Sequence, residues 1–199
     1  MVRVFCCDVS AVTEREYNAL WELASPRRRQ RADGYPKRSD AVRCLAAEAL
    51  LRCAFPGLDP EAIQKDPGGK PRLEGAHFNL SHSGQWVALA VGDSPVGVDV
   101  ECLREGRPIE RLARRYFTEE ECRRAGDSQE GFLRIWTAKE SRLKYLGVGL
   151  REALDSFSVL EAEDIRTWRI PGAVLSLCAQ ELPETWESVS LERILRKKD

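Results

Sequence analysis

The chain has no long apolar run. None of its segments approaches the ~20 residues that a bilayer-spanning helix needs. Arg3 is followed by Val4-Phe5-Cys6-Cys7, too short for the apolar core of a signal peptide, so a cytoplasmic location is expected. Histidine is scarce, with only His77 and His82. The cysteines number seven (Cys6, Cys7, Cys44, Cys53, Cys102, Cys122 and Cys178) and include no C-x-x-C pair. That spacing indicates neither a structural zinc nor a disulfide framework, and reduced, mostly buried thiols are expected. There is also little net charge: −1 over 199 residues gives no field suited to a nucleic acid or a membrane surface. Low-complexity segments and short-period repeats are absent.

What is present is ordinary for a globular protein, 43% hydrophobic and 32% charged, with length for one large domain or two small ones. Two stretches stand out. Val96-Gly97-Val98-Asp99-Val100-Glu101 alternates with the period of a strand, which places Asp99 and Glu101 on one face, about 6–7 Å apart. Like charges so close repel unless a cation lies between them. Trp136-Thr137-Ala138-Lys139-Glu140-Ser141-Arg142-Leu143-Lys144 has helical character, and Trp136, Glu140 and Lys144 share one stripe at i, i+4, i+8. Glu140 can supply a third oxygen ligand, and Lys144 can meet an anion held by the metal. Such a set suits Mg²⁺, which shares its shell with substrate phosphates; Mn²⁺ fits equally. Taken singly, each motif also reads as a solvated face.

The combination resembles the paired signature of the 4'-phosphopantetheinyl transferases, in their surfactin-type branch. The likeness extends to Phe78-Asn79-Leu80-Ser81-His82-Ser83-Gly84, to Gly69-Lys70-Pro71, and to Ser25-Pro26 with its arginine run. It implies coenzyme A as donor, 3',5'-ADP as product, and a serine of an apo acyl or peptidyl carrier protein as acceptor. It implies Asp99, Glu101 and Glu140 as metal ligands, with Glu140 and Lys144 catalytic. It implies Arg28, Arg31, Lys70, Asn79, Ser81, His82 and Lys144 as contacts to the cofactor, and a monomer with the site between its halves. Two rivals are a metal-dependent coenzyme A diphosphate hydrolase and a non-catalytic module that binds coenzyme A or a carrier.

Along the chain, Arg3 to Val9 alternates as a first strand. Thr13-Glu14-Arg15-Glu16 resembles a capping box for a helix to Leu23, and Ser25-Pro26 opens a second helix. Between Arg27 and Arg43 lie seven basic residues against two acidic ones, an excess that could hold phosphates. Ser39 to Phe55 is an amphipathic helix, and Lys65 to Arg72 is a turn with Gly and Pro. Phe78 to His82 and Trp86 to Val91 are strands, and a hairpin is expected between Trp86–Val91 and Val96–Glu101. Adjacent Ser81 and His82 read less well as a nucleophile pair, because no orienting acid follows.

Pro108 starts a helix that leaves Arg111, Arg114 and Arg115 outward, where an acidic carrier could dock. Thr118-Glu119-Glu120-Glu121 is a further capping box; the resemblance makes Glu121 a minor acid–base candidate. A long helix is expected from about Gln129 to Leu146, stopped by Gly147. Beyond Asp155, Phe157–Leu160, Thr167–Ile170, Ala173–Ala179 and Val189–Leu191 look like short strands. The expected fold is α+β, with two similar subdomains related by a pseudo-twofold (1–95 for the nucleotide, 96–199 for metal and catalysis), each a small antiparallel sheet packed with helices.

Overall fold

The structure is a computed structural model describing residues 1–66, 69–148 and 154–196; Pro67 and Gly68 of the expected turn lie outside these residues. The first half runs β1 (Arg3–Asp8), α1 (Glu14–Leu23), α2 (Pro26–Asp33), α3 (Arg38–Ala54), β2 (Gln64–Lys65), β3 (Pro71–Arg72), β4 (His77–Ser83) and β5 (Trp86–Gly92). The second runs β6 (Val96–Cys102), α4 (Ile109–Tyr116), α5 (Glu119–Ala125), α6 (Gln129–Leu146), β7 (Ile165–Ile170) and β8 (Ala173–Ala179). A tail adds β9 (Glu187–Ser188) and α7 (Leu191–Arg196).

The local chemistry sets these bounds. Thr13 and Thr118 close the expected capping boxes with Glu16 and Glu121, and Ser25 caps α2 with Pro26 at its first position. Ser128 caps α6, which ends at Gly147 in the left-handed region (φ 73°).

One sheet has the order β4-β5-β1-β9 and another β6-β8-β7. In both halves the opening strand and the penultimate strand flank the last one, all antiparallel, after a helical crossover. The halves are thus topologically equivalent, which is the repeated α+β unit expected. Apolar side chains alternate to bind the layers. Val4 and Cys6 of β1, Ala88 and Ala90 of β5, and Val96, Val98 and Val100 of β6 meet Leu175 and Leu177 of β8 in one core between the sheets. A second core lies between the first sheet and α1, α3 and α7; a third lies under α5 and α6. The tail belongs to the second core: Val189, Leu191 and Ile194 pack into it, and β9 pairs parallel with β1. No helix among the described residues is long and apolar enough to cross a membrane.

Three expectations are corrected. β5 and β6 do not form a hairpin. β5 pairs with β4 around Gly84 (φ 53°) and with β1, while β6 pairs with β8 in the other sheet. Phe157–Leu160 forms no strand and follows a single 3-10 turn, Leu154–Ser156. Val189–Leu191 forms no strand either, since Leu191 begins α7 and only Glu187–Ser188 pairs. In the last two cases a short apolar run satisfied the strand pattern, and tertiary packing decided otherwise.

The two sheets meet along a seam between β4 and β6. Asn79 Oδ1, Ser81 Oγ and Ser83 Oγ accept hydrogen bonds from the backbone N–H groups of Val98, Val100 and Cys102, at 2.9, 3.3 and 3.2 Å. Side chains at i, i+2 and i+4 of one strand thereby satisfy the edge of the other, in place of a backbone ladder.

Candidate active site

Gly97 lets α6 lie directly on β6. A Cβ there would stand 2.1 Å from Ser141 O and 2.3 Å from Tyr145 N. This close approach sets Asp99 and Glu101 of β6 beside Glu140 and Lys144 of α6. Asp99 is buried (5% exposed). Its Oδ1 accepts from Lys144 Nζ at 2.7 Å and from Ser81 Oγ at 2.8 Å. Lys144 Nζ also donates to Ser81 Oγ at 3.0 Å and Val98 O at 3.1 Å. Glu101 Oε2 accepts from Ser83 Oγ at 3.0 Å and pairs with Arg107 at 3.3 Å. Burial, then the charge of Asp99 and of Glu101, pushes the half-buried Glu140 carboxyl above its ordinary value, while Lys144 opposes the rise.

This donor set fits a hard divalent cation. Asp99 Oδ2 is buried with no hydrogen-bond partner among the described residues, a costly state for a carboxylate oxygen and one a cation would relieve. All the donors are carboxylate oxygens, and the shift at Glu140 reports three acids within electrostatic reach. Among the described residues, no three His, Cys, Asp or Glu side chains are grouped closely enough to hold a metal ion by themselves.

Arg28 and Arg31 come together in a separate cavity of about 390 Å³, which Lys65, Phe78 and Leu80 also line. Ser25 caps the helix that carries the arginines. Glu48, buried in α3, holds Arg28 and the helix cap: it accepts from Ser25 N and Oγ and from Arg28 Nε at 3.1 Å. Arg31 Nε donates to Tyr35 Oη at 3.2 Å. The remaining expected contacts are placed differently. Lys70 Nζ donates to the carbonyls of Val96, Lys144 and Tyr145, which ties the turn that carries it to the end of α6. Asn79 is committed to the seam, and Ser81 to the seam and the acids. His82 lies on the opposite face of β4 from Ser81 and is exposed. Its imidazole is held below the ordinary value by crowding from protein atoms, then by Arg43 and Lys144, then Arg31. It therefore faces the basic side of the molecule.

Glu121 is a structural residue. It is fully buried, pairs with Lys139 at 2.8 Å, and accepts from Thr118 N and Val159 N. Sequence reasoning missed Glu48, Ser83 and Arg107. Glu48 is the one acid inside an Ala/Leu run of α3, and Ser83 completes a polar Asn79/Ser81/Ser83 alternation; both were visible signals. Arg107 carried none, because a loop residue has no periodicity to interpret.

The structure is thus a paired α+β unit with acids and a lysine gathered where its sheets join. A family model described as the 4'-phosphopantetheinyl transferase superfamily matches residues 95–196. The 4'-phosphopantetheinyl transferase Sfp of Bacillus subtilis is 31% identical over 216 residues, covering 92% of this chain and 95% of its own. The transferase psf-1 of Bacillus pumilus is 34% identical over 173 residues, covering 79% and 72%. The transferase gsp of Aneurinibacillus migulanus is 34% identical over 153 residues, covering 71% and 63%. The chain belongs to the 4'-phosphopantetheinyl transferases.

Proposed function

We propose that this transferase moves the phosphopantetheine arm of coenzyme A onto a serine of an apo acyl or peptidyl carrier protein, releasing 3',5'-ADP. It would act as a cytoplasmic monomer, in polyketide or peptide biosynthesis. The observation that supports the reading is the buried Asp99, paired through Oδ1 with Lys144 and unpartnered at Oδ2 among the described residues, with Asp99 and Glu101 within electrostatic reach of Glu140. Asp99, Glu101 and Glu140 would hold Mg²⁺, with Mn²⁺ an alternative. When bound, the cation would polarise the coenzyme A diphosphate.

The chain's own residues supply the rest. Lys144 holds positive charge where the transferred phosphoryl and its leaving oxygen gain negative charge. Glu140 takes the proton of the acceptor serine, whose oxygen forms the new bond to phosphorus as the bond to 3',5'-ADP breaks. Arg28 and Arg31 hold nucleotide phosphates in their cavity, with Lys65 on its wall. His82 borders the same basic side, and Lys70, Asn79 and Ser81, which also tie the halves together, would complete the contacts to the cofactor. Arg111, Arg114 and Arg115, all exposed on α4, offer an acidic carrier a docking face. The units 1–95 and 96–199 divide nucleotide binding from metal chemistry.

Intact-protein mass spectrometry tests this. The chain is mixed with coenzyme A, Mg²⁺ and an apo carrier, with and without EDTA. A gain of about 340 Da on the carrier, lost with EDTA, is expected for covalent attachment. Consumption of coenzyme A with no carrier gain would instead indicate hydrolysis.

A further inference from the structure

The seam repeats one unit twice, and each repeat ends on a carboxylate. In the first, Ser81 Oγ donates to Asp99 Oδ1 at 2.8 Å and accepts from Val100 N at 3.3 Å and Lys144 Nζ at 3.0 Å. In the second, Ser83 Oγ donates to Glu101 Oε2 at 3.0 Å and accepts from Cys102 N at 3.2 Å and an Arg104 guanidinium nitrogen at 3.1 Å. A hydroxyl has one proton and two lone pairs. Where N–H donors take both lone pairs, the proton has one direction left, which is toward the acid. The oxygen that receives this proton also receives a cation: Lys144 on Asp99 Oδ1 at 2.7 Å, Arg107 on Glu101 Oε2 at 3.3 Å. In the first unit the opposite oxygen, Oδ2, is buried without a partner. In the second, both donors fall on Oε2, and Oε1 lies outside the pair.

We propose that Ser83 is a positioning residue for the divalent cation: with Arg107 it anchors Oε2 of Glu101 and so turns Oε1 toward the metal. The inference rests on the reading of Asp99, Glu101 and Glu140 as metal ligands. Ser83 itself is buried (5% exposed) and lies outside the cavity that Arg28 and Arg31 line, so it acts through Glu101 rather than by touching the nucleotide. Partners that orient a metal's ligands are worth about 10–100-fold in metal affinity.

The test is Mn²⁺ binding in the presence of coenzyme A, followed by the paramagnetic resonance of the free ion. Glu101→Gln sets the level of binding that does not pass through this site. Ser83→Ala is expected to weaken binding about 10–100-fold, and Ser83→Thr, which keeps the hydroxyl, to restore it to within about threefold of the wild type. In kinetics, Ser83→Ala should raise the Mg²⁺ concentration needed for half-maximal rate while leaving KM for coenzyme A in place. A purely structural serine would not separate these quantities. Equal Mn²⁺ affinity in the wild type and Ser83→Ala overturns the role of Ser83 and leaves the metal site standing. A wild type that binds no better than Glu101→Gln removes the metal site, and the inference with it. Should Ser83→Ala not fold, Ser83→Cys replaces it, being close in shape with a far weaker donor.

Discussion

Glu140 stands under opposing influences. Burial and the charges of Asp99 and Glu101 raise its proton affinity, while Lys144 lowers it, and the rise prevails. A carboxylate moved toward neutrality is a better general base than an ordinary one. On the proposed mechanism, Glu140→Gln removes the base and a metal ligand but keeps the shape. Transfer to the carrier should fall by about 10²–10⁴-fold with little change in melting temperature. Retained carrier modification at near wild-type rate would remove Glu140 from the mechanism.

Its neighbour Lys139 has a different task. Its Nζ is fully buried and meets Glu121 Oε2 at 2.8 Å, Leu154 O at 2.6 Å and the Phe157 carbonyl. Burial lowers its proton affinity, and Glu121 restores part of it. Removing one partner of a buried pair leaves the other charge uncompensated. Lys139→Met is therefore expected to cost about 3–5 kcal/mol by denaturant unfolding. Adding Glu121→Gln, which keeps an acceptor for the Thr118 and Val159 N–H groups, should recover part of that. A single-variant loss below about 1 kcal/mol would count against the pair. In sequence the lysine and the glutamate of Lys139-Glu140 look alike in setting. Only the turn of about 100° between them along the helix, which sends one into the core and leaves the other half-buried, separates them.

At the scale of elements, the contact of β6 with α6 governs the site. The backbone of α6 cannot step aside for a methyl group at Gly97, because the atoms it would meet are Ser141 O and Tyr145 N. Gly97→Ala should force strand and helix apart, lower stability by about 1–3 kcal/mol, and separate Asp99 from Lys144. Unfolding by urea, together with the carrier assay, measures both effects. Wild-type values in each would mean that the crossing tolerates the methyl group. The ends of α6 were legible from Ser128 and Gly147, since caps act locally. The partner of β6 was not. A short Gly92–Pro95 turn suits a hairpin, yet β6 joins β8 and leans on β4 through side chains. Strand pairing depends on which apolar faces become buried together, and adjacency in sequence does not report that.

Over the whole molecule, the thiols report how the layers close. None of the seven is in a disulfide. Cys7 and Cys178 are pushed up to about 12, chiefly by burial, and Cys6 is raised further in the same direction. Cys53 and Cys122 are only partly covered. At pH 8 in the native state, a thiol-specific disulfide reagent should label Cys53 and Cys122 first and spare Cys6, Cys7 and Cys178 until denaturant is added. Early labelling of Cys6 in peptide maps would mean that the core between the sheets opens.

The sequence by itself determined what depends on near neighbours. The capping boxes, the proline at the start of α2, the alternation that puts Asp99 and Glu101 on one face of β6, and the helical stripe of Glu140 and Lys144 all follow from rules spanning a few residues. The tertiary structure decided the uses that depend on partners far along the chain. Lys70 meets carbonyls at the end of α6, Glu48 gathers Ser25 and Arg28, and Ser83 meets Glu101. A polar group gains its partner only after apolar burial has brought two elements together. Here that burial is the core between the two sheets, which sets β4 against β6, pairs Asp99 Oδ1 with Lys144 and leaves Asp99 Oδ2 without a partner among the described residues.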